Sequence, residues 1–487
     1  MTDCSKIVES NPMKVMFVEP PKEMWFVMGE YLPPPFGILQ LASYLEEKVK
    51  GVEIEVLDCQ VENLDWKDLE KRIEAAQPDI FAPSALATCN AYLVARAIEL
   101  AKKINPEILT IAGGQHFTAT ADESLRRYPE IDVIVRGEGE QTLAEIVKTF
   151  GKKSNLSRIK GISFRHGKKV IHNPPRPLIK DLDSLPLPGY HFVEDFIHNY
   201  HFKMMSGPNA GYALIEGSRG CPHRCTFCSQ WKHWQGKWRR KSAKRIADEM
   251  EFCYQNYGIK FLWLTDDNFG LGKHTEELCD EIKRRRIEEE IMWFMQVRVD
   301  DIVNHPDVLS KARESGLHWV LVGVENHSPE ALNSFRKRIN PNDAKKAMKL
   351  LKENDIFAQA TLIIGNREDT HKSIADLREF TNDIDPDLAI FMILTPFPGT
   401  DLYETAKRNG WIEDENWANY DMVHAIMPTE TLTTKEVQEE LYHCYRSFYG
   451  SFGRRFTGLF SSNSMKRRTY RYLAGQGLLK GLRDLFS

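Results

Sequence analysis

A chain of 487 residues, 42% hydrophobic and 28% charged, has material for two or three cores, since single domains usually run ~100–200 residues. A net charge of −4 excludes general affinity for nucleic acid, and no apolar run reaches the ~18 residues of a membrane span. The opening MTDCSKIVESNP lacks the apolar stretch of a signal peptide, and nine cysteines, an odd number, suit a reducing compartment, so a cytoplasmic protein is expected.

Over the first 150 residues, short apolar β-branched runs alternate with amphipathic stretches, the pattern of an α/β domain built on a doubly wound parallel sheet. Strands are predicted over 14–18, 53–57, 80–84, 109–112 and 133–136, with helices over 36–48, 66–76, 90–104, 121–127 and 141–150. The domain is expected to span 13–150. Ligands of such sheets sit beyond the carboxyl ends of the strands. Those ends carry Asp58 and Gln60, then Ser84, the run Gly113-Gly114-Gln115-His116, and the run Arg136-Gly137-Glu138-Gly139-Glu140. Paired glycines let backbone approach a phosphate or a large ring, and a plain turn reads the same way. His116 reads as a polar rim residue.

Residues 151–210 are expected to form a linker with a small β piece, followed by a proline-rich crossing over 173–192 that resists helix and strand alike. From 211 the alternation resumes. Six strands are predicted over 213–216, 261–264, 293–297, 319–322, 359–364 and 388–394, within a second domain at 211–405. Chemistry in βα barrels gathers at the C-terminal strand ends.

After the first of these strands stands Cys221-Pro222-His223-Arg224-Cys225-Thr226-Phe227-Cys228. C-x-x-x-C-x-x-C supplies three thiolates from one loop, and thiolates are the usual ligands of iron–sulfur clusters. Three ligands on a 4Fe–4S cluster leave one iron free of protein. Structural zinc requires four ligands in tetrahedral array, which this run does not offer without straining His223 beside Pro222. The following stretch, with Trp231, Trp234 and Trp238, offers apolar surface for a flat or greasy substrate, or packs onto the barrel.

This cysteine triad, with the aromatic Phe227 just before its last member, resembles the hallmark of radical SAM enzymes. The resemblance implies a partial (β/α)6 barrel, in which the open iron chelates S-adenosylmethionine and an electron splits it to give a 5'-deoxyadenosyl radical. It further implies that Asp266-Asp267-Asn268 meet the methionine amine, that Arg298 and Glu325 hold the carboxylate and ribose, and that the stretch from Thr361 to Gly365 lines the adenine. These pairings suit the donors and acceptors concerned.

The order of strand-end motifs in the first domain resembles the cobalamin-binding domain that precedes many such barrels. Asp58, Gln60, Ser84, Gly113, Gly114, Gln115, Gly137, Glu138 and Gly139 would then face cobalamin. Where other cobalamin domains carry D-x-H-x-x-G, this chain has Asp58, Gln60 and Asn63, so cobalt would lack a histidine beneath it. The Cys228-Ser229-Gln230-Trp231-Lys232 stretch resembles anaerobic magnesium-protoporphyrin monomethyl ester cyclases. The Pro396-Phe397-Pro398-Gly399-Thr400 turn resembles cobalamin-dependent C-methyltransferases such as hopanoid methylases. The resemblance implies a hydrophobic lipid or tetrapyrrole substrate, C-methylation or oxidative cyclisation, and an electron donor such as flavodoxin or ferredoxin. A non-catalytic cluster or cobalamin sensor is the reading from another class.

The region 406–487 is expected to be helical. From Arg446 onward it turns basic, with Arg454, Arg455, Lys466, Arg467, Arg468, Arg471, Lys480 and Arg483 against only Asp484. Such a tail rests on an anionic membrane surface or packs on an acidic barrel.

Overall fold

Along β1 (Met13–Glu19), Val15 and Phe17 point to one side and Met16 and Val18 to the other, and all four are buried. Both faces of the sheet are therefore covered. Helices Phe36–Lys48 and Glu140–Thr149 pack on the Val15 side, and Trp66–Ala76 and Ala91–Ile104 on the Met16 side. With β2 (Val52–Asp58), β3 (Ile80–Pro83), β4 (Leu109–Ala112) and β5 (Val133–Val135), the parallel order is β2-β1-β3-β4-β5. This order places a topological switch point between β1 and β3. The computed structural model describes residues 12–22, 31–84, 87–150, 156–206 and 211–486, so Ala85 and Leu86, just past β3, lie outside it.

The sheet does not stop where the periodicity placed the domain's end. The small β piece expected in the linker is the hairpin of β6 (Ile162–His166) and β7 (Lys169–His172), and β6 pairs antiparallel with β5, which joins the hairpin to the edge of the first sheet. A hairpin can extend a parallel sheet edge without a crossover helix, so βα alternation carries no trace of it. The connector that follows is ordered. The Ser43 hydroxyl donates to the Leu187 carbonyl at 2.6 Å, and the buried Tyr190 hydroxyl bonds both backbone groups of Leu214.

Six parallel strands form the second sheet in sequential order: β8 (Tyr212–Ile215), β9 (Phe261–Leu264), β10 (Met292–Arg298), β11 (Leu317–Glu325), β12 (Phe357–Ile364) and β13 (Leu388–Ile393). This is the partial barrel expected. Its N-terminal end is stoppered by Tyr212, Phe261, Phe294, Trp319 and Phe357, with Met465 of the C-terminal helix Ser464–Phe486 packed against them.

That helix answers the question posed by the basic tail. Arg468 donates to the carbonyls of Met205 and Ser206 at 3.0 and 3.1 Å, and Lys466 pairs with Asp387 at 2.8 Å. The described start of the tail helix thus packs on the barrel, while the side chains of Lys480 and Arg483 lie outside the described residues. Among the described residues no helix is long and apolar enough to cross a membrane.

Candidate active site

The cysteine loop is held in place by backbone groups. Thr226 N–H donates to the Phe335 carbonyl and its own carbonyl accepts from Leu402 N–H, both at 3.0 Å, while Trp231 Nε1 donates to the Cys225 carbonyl at 3.1 Å. Gly220 enters the loop at φ +89°, where a Cβ would lie 2.1 Å from the Lys237 carbonyl oxygen, so only glycine serves. Phe227 stacks edge-on with Phe335, ring centroids 5.3 Å apart.

Burial pushes the thiols up, Cys221 to about 11 and Cys228 to about 12, with Cys225 raised as well. Protein cations nearby do not suffice to ionise them. A group that takes all three as thiolates must bring its own positive charge, as iron does, and three thiols in one loop fit a 4Fe–4S cluster.

Beside the loop, at the C-terminal ends of β9 to β13, opens a cavity of about 310 Å³. It brings together Phe227, Asp267, Asn268, Arg298, Glu325 and Thr361 of the residues predicted to bind S-adenosylmethionine. Asp266 and Gly365 are not among its lining. The buried Asp266 carboxylate accepts from Gly217 N–H at 3.0 Å, tying β9 to the end of β8. Gly365 lies near Val437 and Ile393 instead.

Burial raises the Asp266 and Asp267 carboxyls to about 7. Asp266 Oδ1 and Asn268 Oδ1 are buried with no hydrogen-bond partner. A buried acceptor calls for a donor, and an ammonium group supplies one, so Asn268, which lines the cavity as Asp266 does not, fits the amine of S-adenosylmethionine.

Glu325 sits at φ +64°, a left-handed conformation at the end of β11, where the register with β12 shifts between Gly323 and Glu325. The kink aims its carboxylate between Lys337 Nζ at 2.5 Å and Thr361 Oγ1 at 3.1 Å. Gly323 makes room for this pair, since a Cβ there would stand 2.3 Å from Lys337 Nζ. Lys337 escaped sequence reading because FRKRIN looks like a solvated basic run. Its signal was the small residue in VGVEN.

Arg298 departs from expectation in its pairing. Its Nε and Nη2 fork onto Asp300 at 2.9 and 3.3 Å, so the guanidinium reaches the cavity already held by a carboxylate. The far wall is apolar: Ile363, within the stretch from Thr361 to Gly365 expected to line the adenine, joins Leu321, Met392, Leu394, Phe397 and Met422, which the sequence did not assign to the site. Met422 is itself at φ +67°, and its carbonyl accepts from Ile393 N–H at 2.8 Å. The tryptophans after the cluster loop turn inward, Trp238 Nε1 donating to Ser218 and Trp234 Nε1 to Gln230, both at 3.2 Å.

At the strand ends of the first sheet, several residues expected to face cobalamin have protein partners. The buried Asp58 carboxylate accepts from Gln60 N–H and the Tyr200 hydroxyl, both at 3.0 Å, and Gln60 Nε2 donates to the Pro20 carbonyl. Gly113-Gly114-Gln115-His116 opens the helix Gly114–Ala119. Gln115 crosses to the cluster loop, donating to Gln230 at 2.7 Å and accepting from Ser229 at 3.0 Å.

Glu138 is buried and accepts from Arg219 at 2.9 Å, Arg239 at 2.7 Å and Ile179 N–H at 2.7 Å. Gly139 packs against Leu41. His116 is no rim residue; it is buried edge-on against Phe117 and Trp417, and burial lowers its imidazole to about 4. Among the described residues of these strand ends, Ser84, Gly113 and Gly137 are partly exposed, and a Cβ at Gly137 would meet nothing within 4 Å. That edge fits a corrin.

Residues 28–147 match the B12 binding domain, and residues 215–381 match the Radical SAM superfamily. The chain belongs to the radical SAM enzymes that carry a B12-binding domain, and its cofactors are S-adenosylmethionine, a 4Fe–4S cluster and cobalamin. It is 33% identical to an uncharacterized methyltransferase of Pyrococcus horikoshii, over 90% of this chain and 92% of that one. It is 29% identical to the anaerobic magnesium-protoporphyrin IX monomethyl ester cyclase of Cereibacter sphaeroides, over 90% and 70%. The cobalamin-dependent S-adenosylmethionine radical enzyme OxsB, solved with aqua-cobalamin and S-adenosylmethionine, superposes with a TM-score of 0.72 at 18% identity, over 96% of this chain and 71% of that one.

Proposed function

We propose that the enzyme transfers a methyl group to an unactivated carbon of a hydrophobic lipid or tetrapyrrole substrate. The observation that carries this reading is the two-sided cavity, with Asp267, Asn268, Arg298, Glu325 and Lys337 facing an apolar wall that includes Met392, Phe397 and Met422. The polar side suits S-adenosylmethionine, and the apolar side suits a greasy molecule brought against it.

When bound, the cluster and S-adenosylmethionine supply a 5'-deoxyadenosyl radical and cobalamin carries the methyl group, so the protein's task is positioning. Cys221, Cys225 and Cys228 hold the cluster. Asn268, with Asp267, accepts from the amine. Glu325, fixed by Lys337 and Thr361, accepts from ribose hydroxyls. Arg298, steadied by Asp300, faces the carboxylate. The edge at Ser84, Gly113 and Gly137 receives the corrin. A flavodoxin or ferredoxin supplies the electron.

Glu325→Ala tests the ribose assignment. Loss of a hydrogen-bonded charged acceptor is expected to weaken S-adenosylmethionine binding by about tenfold or more, with iron content unchanged. Unaltered affinity by equilibrium dialysis removes Glu325 from the site.

A second reading, oxidative cyclisation, draws support from the 29% identity to the cyclase over 90% of this chain. Anaerobic turnover with methyl-labelled S-adenosylmethionine and a lipid and pigment extract separates the two. Labelled methyl in a product, with 5'-deoxyadenosine and S-adenosylhomocysteine, is expected for methyl transfer. 5'-Deoxyadenosine beside an unlabelled, oxidised product overturns it in favour of the cyclase reading.

A further inference from the structure

The short helix Phe452–Leu459 divides its circumference three ways. On one side Gly458 seats against Tyr470, so closely that a Cβ would stand 2.3 Å from the ring, which docks the helix on the one that follows. On the second, Arg454 and Thr457 line a cleft of about 660 Å³ with Lys352, Lys466, Ser451 and Ser461. On the third, Phe452, Phe456 and Phe460 recur every four residues and are 81%, 55% and 70% exposed. Their rings touch in sequence, with centroids 6.3 and 4.9 Å apart. A contiguous aromatic stripe left in water on a soluble surface marks a contact.

Charge indicates what covers it. Between 446 and 476 the sequence holds seven arginines and lysines and no acidic residue, in a chain whose net charge is −4. In the cleft, Arg454 pairs with Asp385 and Lys466 with Asp387, each at 2.8 Å, leaving the well-exposed Lys352 3.8 Å from the same Asp385. A second copy of this chain would bring like charges together. An anionic bilayer buries the rings and meets the net positive charge of this segment at once.

We propose that this face lies on an anionic lipid surface, with the three phenyl rings at the level of the upper acyl chains and a lipid phosphate beside the cleft. Lys352 and Asp385 precede β12 and β13, so the contact is on the N-terminal rim of the barrel, at the end opposite the cavity. It anchors the enzyme and is not the substrate's entrance, so it stands or falls apart from the methyl-transfer reading. Within the basic tail that begins at Arg446, it places the membrane contact on this helix and not on the C-terminal helix, whose described start packs on the barrel.

Cosedimentation of the full cofactor-loaded chain with large vesicles tests this. Binding is expected to equal mixtures of phosphatidylglycerol and phosphatidylcholine, with little to phosphatidylcholine alone. The triple variant F452S/F456S/F460S is expected to bind at least about tenfold more weakly at unchanged melting temperature, because the rings are exposed in the folded chain. Lys352→Glu is expected to lower binding to the anionic vesicles only. Wild-type protein that stays in the supernatant with both vesicle types overturns the proposal, as does a triple variant that binds equally. So does sedimentation velocity without lipid showing a wild-type oligomer that the triple variant dissolves, since the stripe would then pair copies of this chain.

Discussion

Cys225→Ala is expected to abolish cluster assembly and cleavage of S-adenosylmethionine together, with bound iron and 5'-deoxyadenosine both falling to background. The argument rests on how the loop is built. Every anchor named for it is a backbone group: Thr226 N–H on Phe335, the Thr226 carbonyl under Leu402, and the Cys225 carbonyl under Trp231. Removing one Sγ leaves those bonds in place, so the variant should keep the wild-type fold in the absence of cluster. The loss is then one of three thiolates, and the remaining pair cannot hold the cluster with one iron open. Iron analysis and product chromatography on anaerobically reconstituted protein check it. Full cleavage by the variant would sink the assignment of the triad.

The strands were legible because both sheets are buried on two faces and their runs of Val, Ile, Leu and Phe are continuous and short. Five of the six barrel strands were predicted within two residues of the observed bounds, and β11 runs longer, Leu317–Glu325 against 319–322, because VGVEN carries it through a bulge. The cysteine triad stood out because its spacing restricts a thiolate cluster to few chemistries, and the structure sets all three cysteines on one loop beside the cavity. What escaped are residues whose meaning depends on what faces them. Glu138 and Gln115 stand at the strand ends where a ligand was expected, and a motif cannot show that a guanidinium from residue 219 or a loop from residue 230 fills the position first. Lys337 and Met422 had no motif at all. His116 looked polar and is buried beneath Trp417, from a stretch 300 residues away in the chain.

Arg219 carries the second large effect. It is 4% exposed, two residues before Cys221, and its guanidinium meets Glu138 at 2.9 Å, Glu140 at 2.6 Å and Glu216 at 2.9 Å. The RGEGE run thus clamps the first domain onto the start of the cluster loop. In Arg219→Met, Glu138 keeps Arg239, but Glu216 and the buried Glu140 both lose their ion pair with Arg219, and Glu140 Oε2 already has no hydrogen bond. Breaking a buried pair in this way costs about 3–5 kcal/mol.

The pH dependence follows from the sign. Burial would raise the Glu140 carboxyl, but Arg219 prevails and holds it below its ordinary 4.5. In the wild type that interaction is fully present above the ordinary value and fades as pH falls through the depressed one. Without Arg219, burial is opposed more weakly, by a backbone hydrogen bond and the charge of Arg239, and Glu140 takes up a proton at higher pH. The stability gap between wild type and variant should therefore narrow toward acid, open as pH rises through the ordinary carboxyl value, and keep widening until the variant's raised value is passed. Adding Glu140→Gln removes the more deeply buried of the two orphaned charges and should recover part of the loss at neutral pH; a double variant no more stable than Arg219→Met would disprove the clamp. Because all three cysteines remain, 5'-deoxyadenosine formation should survive in that stabilised double variant. On the methyl-transfer reading, labelled methyl in the product should be lost in the same variant, because the clamp joins the two domains.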